Sequence, residues 1–162
     1  MITTDLIQTV DSAQEIIAPA NRLRDTVRNE EITPQTVLKV FENWSTALAA
    51  RELQEIPGLA FLRLWLRRGT LEPIVLRELG PNVMSGGWTD DGRARLRAFP
   101  LGLVGHWPAA NIEIQPALTM TCALLGGNGC LVRVPGALID VTRRIIEAIH
   151  EADREGIITR RF

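Results

Sequence analysis

The chain has 162 residues, 46% of them apolar and 23% charged. That balance excludes a disordered polar segment and suits one ordinary domain or one large fragment with a packed core. Eighteen Lys and Arg against nineteen Asp and Glu give a formal net charge of −1, which leaves no footprint for nucleic acid or an anionic membrane.

The first half reads helical. Leu6, Val10, Ile16, Ile17, Leu23 and Val27 recur at helical spacing from Thr4 to Arg28, with a kink or break expected at Pro19. Thr33-Pro34 starts a second helix, since Thr caps and Pro suits the first turn. Val37, Val40, Phe41, Trp44 and Leu48 share one face of it. Leu59 to Leu66 forms a short apolar helix with its arginines outward. Thr70 opens another, with Pro73 in the first turn and Gly80 past the end. The stretches Arg63, Arg67, Arg68 and Arg160, Arg161 read as solvated faces.

After Gly80 the texture changes. Thr89-Asp90-Asp91-Gly92 signals a hairpin turn. The run Leu101-Gly102-Leu103-Val104-Gly105 is a buried strand, Pro116 to Leu125 a buried helix, and Cys130 to Val134 a second short strand. Leu138 to Glu155 is an amphipathic helix that turns Val141, Ile145, Ile146 and Ile149 inward. Strand, helix, strand, helix over 96–155 is most economically a parallel pair with a crossover helix. The organisation is therefore a helical region over 1–80 followed by an α/β unit over 81–162.

Cys122 and Cys130 lie in apolar segments and read as structural, and no Cys/His spacing suits zinc. Trp107 reads as a packing residue, Trp44, Trp65 and Trp88 as core or interface residues, and His150 as a surface residue. The N-terminus has no basic region followed by an apolar run, and no run of about 18 apolar residues occurs. The expectation is a soluble cytoplasmic protein without a membrane span.

The segment Pro100 to Gly136 carries the chemistry. Its first strand ends at His106-Trp107-Pro108 and leaves Asn111 in the following loop, at the edge where open α/β sheets bind ligands. An Asn amide there donates to a developing oxyanion, although an Asn before a helix also serves as a turn or cap residue. His106 lies at a substrate mouth, orients the loop by hydrogen bonding, or is a buried strand-end His. The second strand delivers Arg133, then Pro135 and Gly136, to the same edge. A cation beside a residue without a side chain suits a phosphate-bearing ligand, though Arg133 also fits a solvated strand end.

Pro100-Leu101-Gly102-Leu103-Val104-Gly105, the Asn111 loop, a helix, Gly127-Asn128 and an apolar strand ending in Arg133 resemble the start of the aldehyde dehydrogenase cofactor domain. The form His106-Trp107-Pro108-Ala109-Ala110-Asn111, with its helical lead-in, resembles the acyl-CoA reductase branch of that superfamily. That branch includes the fatty-acyl reductases that make aldehyde for bacterial luciferase. The specific match covers about residues 96–155.

This resemblance implies a partial Rossmann-like β-α-β-α unit and NADPH-dependent reduction of acyl-CoA, or another acyl thioester, through an acyl-cysteine. Asn111 falls at the family's oxyanion-stabilising Asn, and Arg133 where a Lys usually touches the cofactor's adenosine. Gly136 falls where NAD-preferring members often place a Glu on the ribose 2′-hydroxyl. The missing carboxylate and the neighbouring guanidinium favour NADPH over NADH. Neither cysteine matches the family's nucleophile, so the chain is expected to be an N-terminal fragment, inactive alone, in a homo-oligomer or in complex with the missing portion. Its rivals are another superfamily member, an aldehyde dehydrogenase or acyl-phosphate reductase, and a non-catalytic remnant binding a nucleotide or a partner.

Overall fold

The computed structural model describes residues 7, 8, 10–90 and 92–162. Thr4 to Leu6, where the first helix was expected to start, and Asp91 of the expected turn lie outside the described residues.

Helix α1 spans Ala13–Asn29 and runs through Pro19 without interruption. The expected break is absent for a local reason. The carbonyl that Pro19 leaves without an intrahelical donor belongs to Glu15, an exposed residue, so the missing bond costs little there. Val10, Ile16 and Ile17, expected on an apolar face, are exposed.

Helix α2, Pro34–Ala47, begins as the sequence predicts, with the Thr33 hydroxyl accepting the Thr36 N–H at 3.3 Å. Its buried face carries Val37, Leu38, Val40, Phe41 and Trp44. Gly58, with φ of +78°, turns the chain into α3, Leu59–Trp65. A side chain there would be strained and would press on Ile114 at 3.2 Å. Arg63 does not simply point outward: its Nε donates to the Ser45 carbonyl at 3.3 Å, while the Ser45 hydroxyl donates to the Arg63 carbonyl at 2.8 Å.

Helix α4 spans Arg68–Leu79, so Pro73 lies inside it rather than in its first turn. The Glu42 carboxylate accepts the Arg68 N–H at 2.8 Å and starts the helix before Thr70. The carbonyl freed by Pro73 belongs to exposed Gly69. A hairpin follows, β1 Thr89–Asp90 against β2 Arg95–Leu96, antiparallel, with the Gly92 N–H donating to Asp90 Oδ1 at 2.9 Å.

Strand β3, Leu103–His106, is parallel to β4, Gly129–Val132, and α5, Gln115–Leu125, crosses between them. The expected crossover unit is present, with shifted strand ends. Leu101 is 89% exposed and precedes the ladder, while β4 stops at Val132, whose partner His106 is the last residue of β3. The sheet is covered on both faces. The space beside Gly129 is filled by Leu23 and Val27 of α1, whereas the Cys130 thiol approaches the Met120 carbonyl of α5. Because side chains alternate along a strand, Leu103, Gly105 and Leu131 belong to the α1 face. Val104, His106 and Val132 belong to the α5 face.

Helix α6 spans Ile139–Ala152 and buries Ile145, Ile146 and Ile149, as its amphipathic pattern predicts. It ends before Glu155 because buried Asp153 leaves the helix and accepts the N–H groups of Ile157, Ile158 and Thr159 at 3.0, 2.8 and 2.9 Å. One apolar cluster joins α2, α3, α5 and α6 through Phe41, Trp44, Leu62, Leu124, Ile145 and Ile149, with Val104 and Val132 packed against it. The architecture is mixed helix and sheet, compatible with α/β. No helix among the described residues is long and apolar enough to cross a membrane.

Two side chains lie deeper than the sequence suggests. Arg161 is fully buried rather than solvated. His150 is half-buried, edge-on to Phe162 at 5.5 Å, instead of on the surface. Both changes follow from the chain folding back after Asp153, which local periodicity does not report.

Candidate functional site at the carboxyl edge of the parallel pair

The opposite ends of the β3–β4 pair are built differently. At the amino edge Asn128 is 7% exposed, its Oδ1 accepting the Gly102 N–H at 3.1 Å and its Nδ2 donating to the Ala123 carbonyl at 3.0 Å. The Gly129 N–H donates to the Gly102 carbonyl at 2.8 Å and completes the clamp. This end is closed, and its polar groups are satisfied.

The carboxyl edge is open. The ladder runs one bond past β4, from the Arg133 N–H to the His106 carbonyl at 2.9 Å. This bond brings together two of the residues singled out in the sequence. The Arg133 side chain is exposed and makes no salt bridge among the described residues. Pro135 follows, its carbonyl accepting the Leu138 N–H at 2.8 Å and starting the turn Gly136–Leu138 that leads into α6. A side-chain atom added at Gly136 would meet nothing within 4 Å. The space beside Gly136 is therefore free of protein.

On the other strand the chain leaves His106 and reaches a turn at Ala110 and Asn111 before Pro116 sets the first turn of α5. Asn111 is exposed, and its amide has no hydrogen-bond partner among the described residues, so it serves as no helix cap. His106 is partly buried on the α5 face; its Nε2 is buried without a partner, and burial pushes its pKa below the usual imidazole value.

Trp107 does not pack into the core: it is 75% exposed. Its ring folds back over Gly105, where an added side-chain atom would sit 2.6 Å from Trp107 Cζ3. The sequence holds the signal for this, a Gly two residues before a Trp on the same strand face, but assigning Trp107 to packing passes over it.

Neither cysteine is at this edge. Cys122 is exposed late in α5, contrary to its apolar setting in the sequence. Cys130 is buried near the closed end of β4, and burial pushes its thiol up to about 12. A groove of about 580 Å³ lies elsewhere, between α2 and the end of α6, lined by Thr33, Lys39, Asn43, Glu151, Asp153 and Arg154 among others.

A parallel β-α-β unit with an open carboxyl edge is a frame on which open α/β proteins carry ligands. The chain belongs to the acyl-CoA reductase (LuxC) family, whose model matches residues 9–162. No curated protein and no solved structure matches the chain.

Proposed function

We propose that this chain supplies part of the cofactor-binding surface and the oxyanion donor of an NADPH-dependent acyl-CoA reductase. The observation that carries the reading is the carboxyl edge, where Asn111 is exposed with an unbonded amide, Arg133 is exposed without a salt bridge among the described residues, and Gly136 borders open space. Family membership supplies the acyl-CoA substrate class.

A nicotinamide cofactor fits these residues. Arg133 would take a phosphate as a planar fork, and Gly136 offers no carboxylate to repel a 2′-phosphate. Pro135 would hold the backbone turn against the ribose. When bound, NADPH supplies the hydride. The β3–β4 unit is then part of a Rossmann-like domain following a helical region over residues 1–80.

In this reading a cysteine thiolate attacks the acyl-CoA carbonyl, the bond to the CoA sulfur breaks, and CoA leaves as its thiolate. Reduction of the acyl-cysteine gives a tetrahedral thiohemiacetal oxyanion, which collapses to aldehyde and frees the cysteine. The Asn111 amide donates to that oxyanion. His106 lines the substrate side of the same edge.

Cys130 is too deeply buried and Cys122 too far along α5 to serve as this nucleophile. It therefore belongs to a further α/β portion of the enzyme, and the isolated chain is inactive. Reading the gene in frame past the Phe162 codon tests this. A continuation encoding a cysteine in an α/β domain is expected, and Asn111→Ala in that longer protein should lower kcat about 100- to 1,000-fold. An immediate stop codon would overturn the catalytic reading. The placement of both cysteines would then favour a non-catalytic nucleotide-binding role.

A further inference from the structure

Trp107 has no place in the reading above, yet it is 75% exposed beside the open edge. An exposed indole offers a flat apolar face with a polar N–H at its rim. Its position is also set. The ring rests on Gly105, so its seat exists only because that residue lacks a side chain: an added atom would lie 2.6 Å from Cζ3 and 2.9 Å from Cη2.

The strand register places a cation beside it. Gly105 pairs with Leu131 and His106 with Val132. The next bond, from the Arg133 N–H to the His106 carbonyl, carries the pairing forward by one residue. Trp107 sits on the Gly105 face, and alternation along β4 places Arg133 on that face too. An exposed aromatic plate and an exposed guanidinium without a salt bridge among the described residues thus stand just past the ends of neighbouring strands, at one sheet edge.

We infer that Trp107 and Arg133 form a two-point subsite for a phosphorylated adenosine, the indole stacking on the base and the guanidinium holding a ribose phosphate. Stacking on an aromatic side chain tolerates any flat heterocycle, and Arg holds phosphate through a planar fork. Gly105 is the positioning residue that seats the ring. The inference rests on the reductase reading only for the choice of adenine nucleotide. Both the 2′-phosphorylated dinucleotide and CoA carry such an adenosine, and they differ in which ribose oxygen bears the phosphate.

The test titrates the 162-residue chain separately with 2′,5′-ADP and 3′,5′-ADP, following calorimetry and tryptophan emission. One probe is expected to bind and quench. Trp107→Ala should weaken it about tenfold or more. Trp107→Phe should keep most of the affinity and lose the quench. Gly105→Ala should weaken binding although the indole remains. Preference for 2′,5′-ADP assigns the subsite to the dinucleotide, and preference for 3′,5′-ADP to CoA. Equal affinity in wild type and Trp107→Ala overturns the subsite but leaves the Arg133 reading intact. Binding of neither probe to the wild-type chain overturns both.

Discussion

Arg161, fully buried, donates from Nη1 to the carbonyl oxygen of Gly127 at 2.6 Å. Its Nη2 donates to the carbonyl of Glu30, the residue that ends α1. The guanidinium thereby joins the last turn of the chain to the first helix and to the bend before β4. Burial pushes its pKa down, opposed by the Glu30 carboxylate.

Arg161→Ala removes both bonds and leaves two inner carbonyls without a donor. The expected loss is about 2–4 kcal/mol of unfolding free energy. Arg161→Met keeps the stem and removes the buried charge, so it should lose less. Urea unfolding of the three proteins measures the order.

Asn128 bonds two elements with one amide, through Gly102 and Ala123. Asn128→Ala should cost about 1–3 kcal/mol and loosen the closed edge of the sheet. Hydrogen exchange at the Gly102 amide should speed up in this variant and remain slow in wild type.

His150 gives the chain a pH dependence. Burial lowers its pKa below 6.5, with Asp153 opposing, and His106 shifts the same way. Between that lowered value and the unfolded value near 6.5 the unfolded chain holds more protons, so stability falls as pH falls through this window. Above about 6.5 both states are neutral and the contribution is complete. His150→Phe keeps a ring against Phe162 and removes one titration, so melting temperature against pH should flatten. The slope that remains belongs to His106.

The two thiols should react very differently. Cys122 is exposed, whereas Cys130 is buried with its thiol pushed up to about 12. Iodoacetamide at pH 8 should give a single adduct at Cys122 in the native protein and a second only in denaturant. Prompt native labelling of Cys130 would contradict the buried placement.

The sequence was most informative where local chemistry decides the outcome. Thr33-Pro34 starts α2, Gly80 follows α4, and the glycine-rich bend after α5 precedes a strand parallel to β3. It was least informative where a distant group supplies the missing partner. Arg68 opens α4 two residues early because Glu42 caps it from another helix. Pro19 lies within an unbroken α1 because the carbonyl it frees belongs to an exposed residue, Glu15. Arg161 is buried because carbonyls from residues far back in the chain receive it. At the carboxyl edge, the resemblance singled out Asn111, Arg133 and Gly136. Trp107 was missed because hydropathy places an indole in the core, whereas its ring folds back over Gly105 and stays exposed.

The bond between Arg161 and Glu30 spans 131 residues of chain. Closing so long a loop costs chain entropy, although that cost grows only slowly with length. The same guanidinium also holds the bend before β4 at Gly127. Losing it therefore releases the end of α1 and that bend together, while Leu23 and Val27 still pack beside Gly129.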